Sequence, residues 1–202
     1  MSAAELHSYA QALSKAHGIV DPRSTSALAT VLGRGRRERR NDGELLVAEG
    51  TPADALLFLV HGAVRVRQRD LNGRLRDLTT LSAPAVLGHT ALIDETPRTA
   101  SCIAEGRVEL VTLDREVFRE LLAAANDVGA ALRRLLLKCL VRQLDRGNGL
   151  LRQAIASPAA RRADQDLSVA ELLRVAGALE GFHVSDAELA EMEFVVPDED
   201  DD

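Results

Sequence analysis

The stretch LGHTALIDETPRTAS, residues 87–101, holds the side chain best suited to chemistry. Gly88 opens a short apolar segment through Ala91 and Leu92, and Arg98 follows between Pro97 and Thr99. A guanidinium is costly to bury alone, so it either stays on the surface or meets an anion. Asp94 and Glu95, close in sequence, could serve as internal partners; the alternative is an external anion. The other reactive side chains form no pattern. His7, His17, His61 and His183 are scattered, and Cys102 and Cys139 lie far apart without CxxC or metal-ligand spacing. GxSxG, P-loop and HExxH motifs are absent, and Asp94 and Glu95 have no cleft to separate their acidities. The expectation is a non-enzyme with no catalytic residue, metal or bound cofactor.

The charge is informative only when divided along the chain. The formal net value is −6 over 202 residues, yet residues 185–202 hold nine acids and no base. The remainder has 22 acids against 25 bases and is mildly basic. With no Trp and one Tyr there are few stacking platforms for single-stranded nucleic acid. The basic run RGRRERR reads as a nucleic-acid patch or as a solvated run that engages the acidic tail. The N-terminus lacks an apolar export segment, and the longest apolar run, ALLFLV, is too short to cross a bilayer. A cytoplasmic protein without membrane contact is expected.

Apolar spacing predicts helices over residues 3–16 and 24–33, which make up an N-terminal helical region 1–33. From 34 to 127 short apolar runs alternate with glycine-bearing breaks, the pattern of a sandwich or jelly-roll. In AVRVRQR the arginines alternate with apolar residues, so one face of a half-buried strand is basic. Asp114 is placed to cap a helix beginning REVF. A longer helix over 128–156 carries a stripe of Leu132, Leu135, Leu136, Cys139, Leu140 and Leu144. A linker and two small capped helices fill 157–196, and PDEDDD, 197–202, is predicted to be a disordered acidic tail.

On these residues the chain resembles the cyclic-nucleotide-binding domains of catabolite-activator-type regulators, cyclic-nucleotide-dependent kinases and gated channels. GELLVAEGTPADALLFLVHGAVRV is similar to the family's opening strands, and LGHTALIDETPRTAS is similar to its phosphate-binding cassette. The resemblance covers roughly residues 30–150. It implies an α+β β-roll with flanking helices and a long C-terminal dimerisation helix. It also implies a cAMP or cGMP ligand held by Arg98 at its phosphate, by Gly88, Ala91 and Leu92 of the cassette helix, and by Thr99 and Ala100 after the arginine. Thr99 hints at cGMP. The short helix opening at Gly88 would point backbone N–H groups outward and the returning arginine would add a forked donor, together a pocket for one phosphate.

The sequence departs from the family at His89, which stands where the ribose-binding glutamate is usual, and at Pro84, Ala85 and Leu87. A neutral imidazole accepts one uncharged bond in place of a charge-assisted one, a loss of about 1.5–3 kcal/mol. Two readings of His89 remain, a ribose ligand and a solvent-facing residue at the helix start. The long helix over 128–150 is expected to pair with a second copy through Leu132, Leu135, Leu136, Cys139 and Leu140. SDAELAEMEF offers no Lys, Arg, Asn or Gln to DNA, so the C-terminal segment is read as contacting a protein partner and not DNA. The function expected is a cyclic-nucleotide sensor that relays to a protein partner. A ligand-free scaffold of the same fold is the alternative.

Overall fold

The computed structural model describes residues 2–69 and 73–156. The small C-terminal helices, the linker before them and the acidic tail expected from sequence lie outside the described residues. The chain divides into two compact units, Met1–Arg146 and Gly147–Asp202; the sheet and its core lie within the first, and the last helix begins there and runs on past Arg146.

Two helices open the fold. α1, Ala3–Ala16, begins in a capping box: Ser2 accepts from the Glu5 N–H, and the Glu5 carboxylate accepts from the Ser2 N–H. α2, Pro22–Gly33, starts earlier than apolar spacing predicts because Asp21 caps it and Pro22 suits the first turn. Six strands follow: β1 Arg36–Arg40, β2 Leu45–Val47, β3 Ala55–Arg69, β4 Leu75–Ser82, β5 Ala85–Leu87 and β6 Ser101–Asp114. The five-residue α3, His89–Ile93, sits between β5 and β6, and α4, Arg115–Ala123, with α5, Asp127–Ala156, ends the described chain.

The sheet runs β1-β6-β3-β4, with β2 joining β6 and β5 joining β3, and every pairing is antiparallel. The segments ALLFLV and AVRVRQR, which the sequence separates at His61-Gly62, are one strand. Its pairing with β6 shifts register on both sides of His61. Gly62 permits this: its φ is +89°, and an added Cβ would lie 2.4 Å from the Arg107 carbonyl oxygen. The first half of β3 lies between β5 and β6, the second between β4 and β6, which turns the sheet into a roll. Among the described residues the architecture is the β-roll with flanking helices that the sequence implies.

Two cores meet along β3. Leu56 and Phe58 pack with the helices, while Leu57 and Leu59 face the roll interior with Val64, Val108 and Leu110. Burial on both faces explains why ALLFLV is continuously apolar. Past the bulge Val64 and Val66 pack into the roll interior, while Arg65 pairs with Glu105 at 2.7 Å and Arg67 with Asp77 at 2.5 Å. Asp114 stands at the cap of α4, but its side chain makes no capping bond and instead faces Arg36 at 3.8 Å.

The α5 stripe divides in a way that corrects the sequence reading. Leu132 and Leu135 are fully buried, Leu136 and Cys139 nearly so, all in the core of their own chain. They are therefore not available to a second copy. α5 exposes Leu137, Val141 and Leu144, at i, i+4 and i+7, and Leu150 further along. Gly129 brings α5 close to α4: an added Cβ would lie 2.2 Å from the Ala124 carbonyl oxygen. Arg133 donates to the Leu122 and Ala124 carbonyls at the end of α4. Docking of α5 on the core predicts that Leu135→Ala lowers stability by about 2–5 kcal/mol in urea unfolding. A loss below ~1 kcal/mol would mean that α5 is not seated on the core.

Candidate functional site

Gly88 lies between β5 and α3 with φ +75°, the left-handed region that favours glycine. Ala91 and Leu92 are buried in the helix-side core and anchor α3, whose single turn is too short to build a large dipole. Next comes the spacer to Arg98. Glu95 has φ +57°, and its carboxylate is bound by Arg119 of α4, tying the spacer to that helix.

Arg98 is 4% exposed. Its Nη1 donates to the Gly88 carbonyl at 2.9 Å; its Nη2 donates to the Ala55 carbonyl at 2.6 Å and to Asp54 Oδ1 at 3.1 Å. Three of the guanidinium's five N–H donors are thus engaged. A Cβ on Gly88 would lie 2.1 Å from Nη1, so only glycine lets the fork close on the start of α3. The arginine backbone is held as firmly: its N–H donates to the Thr51 carbonyl and its carbonyl accepts from the Gly50 N–H, both at 2.8 Å. The loop before β3 and the end of the cassette are therefore one paired unit, continued by a bridge between Pro52 and Pro97.

The ionic partner of Arg98 is Asp54, not Asp94 or Glu95 as the sequence suggested. Asp54 lies 44 residues away, and its side chain is 88% exposed, so an external anion reaching Arg98 would compete with a carboxylate that water can readily take back. Sequence reasoning missed Asp54 because the fold, not local spacing, makes the contact; its only signal was its position just before an apolar strand. Thr99 and Ala100 are half-buried, and the Thr99 carbonyl accepts from Gln68 Nε2 at 3.0 Å.

His89 is half-buried, and both of its ring nitrogens are inaccessible and lack a hydrogen-bond partner of normal geometry. Burial pushes its pKa down to about 4, with the Gln143 side chain opposing and nearby His17 reinforcing the shift. Gln143, on α5, also accepts from Thr90 Oγ1 at 3.3 Å. Residues 89 and 90 thus turn toward α5, while Gly88 and Arg98 meet on the other side. The two cysteines are poor nucleophiles: burial raises Cys102 to about 11 and Cys139 to about 12. Among the described residues no His, Cys, Asp and Glu group could hold a metal ion, and no helix is long and apolar enough to cross a membrane.

Residues 37–125, which contain this site, match the model of the cyclic nucleotide-binding domain family. They belong to that family. The cyclic nucleotide-binding domain of this chain is 30% identical over 125 residues to a CRP-like cAMP-activated global transcriptional regulator of Mycobacterium tuberculosis. The aligned part covers 62% of this chain and 54% of that regulator, so it spans about half the relative's length. A cyclic nucleotide-binding domain from Methylobacillus flagellatus superposes with a TM-score of 0.63 at 22% identity, covering 75% of this chain and 88% of that one. A catabolite activator protein from Thermus thermophilus does so at 0.53 and 26%, covering 81% and 80%. The domain's β-roll is the fold of these structures.

Burial of the His89 ring has a pH consequence with a definite sign. Its folded pKa lies below the ordinary 6.5, so between the two values the unfolded chain takes up a proton that the folded chain refuses. This contribution to stability is fully present above pH 6.5, falls as the pH drops toward 4 and is level below that. Its size is on the order of 3 kcal/mol. His17, also held low by burial, acts in the same direction. Urea midpoints measured from pH 7 to pH 4 are expected to fall more steeply for the native chain than for His89→Leu; equal slopes would show that His89 titrates normally.

Proposed function

We propose that this chain is a regulatory sensor that binds a purine cyclic mononucleotide, cAMP or cGMP, and relays its presence to a protein partner. The observation that carries the reading is the buried Arg98 fork closed over Gly88, with an exposed carboxylate as its only ionic partner among the described residues. A cyclic phosphate would replace Asp54 and use the two uncommitted guanidinium donors, joined by backbone N–H groups of residues 88–92. Ala91 and Leu92 hold that backbone in place. Thr99 and Ala100 border the phosphate from the arginine side. His89 supplies no ribose contact here, so recognition rests on the phosphate, and cAMP is the first ligand to try because the M. tuberculosis relative is described as cAMP-activated.

In this reading the chain is not an enzyme, needs no cofactor or metal, acts in the cytoplasm, and contacts neither DNA nor membrane. The relay begins at Thr90, whose bond to Gln143 joins the cassette to α5. A second copy would pair on Leu137, Val141 and Leu144, the apolar face that α5 leaves exposed. The relatives named above support the nucleotide reading. One specific observation favours a ligand-free scaffold instead: Arg98 is already satisfied by two carbonyls and Asp54.

Thermal unfolding with excess cAMP or cGMP separates the two readings. At about 100 times the dissociation constant a ligand adds ~2.7 kcal/mol, a shift of roughly 5–10 °C for a chain of this size. The native chain is expected to shift and Arg98→Ala is not; Arg98→Lys, which keeps a buried cation for Asp54, tests the fork itself if the alanine variant folds poorly. No shift with either nucleotide selects the scaffold. Sedimentation equilibrium is expected to give a dimer mass that Leu137→Glu with Leu144→Glu converts to monomer; a monomeric native chain would remove the pairing.

A further inference from the structure

A cleft of 1110 Å³ lies between α1 and the sheet, and no residue of the Gly88–Arg98 cassette lines it. Its α1 wall is the small face Ala4, Ser8 and Ala12; its floor is apolar, from Tyr9, Val60 and Val108. The Tyr9 hydroxyl is spent on the Leu59 carbonyl at 2.7 Å, so the ring presents only carbon to the cleft. Four arginines and two glutamates, with Asn41 and His61, complete the lining and give it an excess of positive charge.

One carboxylate organises that charge. Glu109 Oε2 accepts from Arg37 Nη2 at 2.6 Å and Oε1 from Arg39 Nε at 2.8 Å. Glu109 is held below the usual carboxylate range, chiefly by the bond from Arg37. Two guanidiniums share a single negative charge, so the trio stays cationic and is fixed in position. Arg39 remains 73% exposed, with its terminal nitrogens unengaged among the described residues. Arg107 is exposed and has no hydrogen bond or ion pair among the described residues.

We propose that this cleft docks an extended acidic segment of a partner protein, its carboxylates on Arg39 and Arg107 and its apolar side chains on the floor. Charge complementarity selects an anion, and the apolar floor selects a peptide over a nucleic acid, whose phosphates would leave that floor unused. Arginines outside the cleft also argue against a nucleic-acid track: Arg34 is held by Glu120, Arg36 by Glu38 and Arg65 by Glu105. The stretch of α1 from Ala4 to Ala12 spans about 12 Å, room for about four extended residues. The site is independent of nucleotide binding.

Fluorescence anisotropy on the full chain tests this with a labelled hexapeptide of alternating glutamate and valine, beside a lysine–valine peptide and a labelled oligonucleotide. The acidic peptide is expected to bind. Arg107→Glu, which adds a like charge, and Ser8→Trp, which fills the cleft from an exposed position, should each weaken it at least about tenfold. Lys138→Glu, on α5 away from the cleft, should leave it unchanged. Thermal unfolding of each variant separates lost docking from lost fold. No binding of the acidic peptide, equal binding to folded Arg107→Glu and Ser8→Trp, or tighter binding of the oligonucleotide would each overturn the proposal.

Discussion

Pairing of β3 with β6 is the constraint on which the remaining structure rests. Both strands are long enough to belong to both halves of the roll, and Leu56–Leu59 are buried from two sides, by helices on one face and by the roll interior on the other. Burial of such side chains stabilises by about 1.5–3 kcal/mol each, so this segment ties two cores that neither helices nor hairpins could join alone. The register shift at His61, made possible by Gly62, bends the pair without breaking it. α5 completes the helix-side core with five side chains and cannot leave without exposing them.

The cassette inherits its geometry from that frame. β5 pairs with the first half of β3, which sets Gly88 beside the Ala55 carbonyl, and the 49–54 loop pairs with the backbone of Arg98. A buried guanidinium is tolerable only when its donors are met. Here two carbonyls and one exposed carboxylate meet them, a mixture in which the carbonyls belong to the fold and the carboxylate is exchangeable. Structure and exchange are thereby combined in one side chain. Thr90, in the turn that Gly88 opens, bonds Gln143 of α5 and so ties the cassette to the long helix.

Charge counting along the sequence exaggerates the basic character of the N-terminal strand. Among Arg34, Arg36, Arg37, Arg39 and Arg40 each has an acidic partner, and most of those acids come from elsewhere in the chain. Exposed pairs of this kind add little stability, about 0–1 kcal/mol each. What they do is place cationic groups: a few arginines keep donors facing the α1 cleft while their neighbours are neutralised.

The sequence by itself determined the kinds of elements and the presence of the cassette. Helical spacing in the first 33 residues, glycine-punctuated apolar runs, and the glycine-to-arginine interval are local properties of the chain, and local geometry obeys them. Tertiary structure decided what each of those residues faces. A stripe such as Leu132, Leu135 and Leu136 has the same spacing whether it meets its own core or a second copy, and only the packed sheet shows that its own core takes it. The partner of Arg98 was illegible for the same reason: Asp54 is brought to it by strand pairing across 44 residues. Position 89 carries a histidine in any reading, but whether its ring meets a sugar, water or a helix depends on the rotation of one turn against α5. Periodicity along the chain states which side chains share a face; it contains no information about what covers that face.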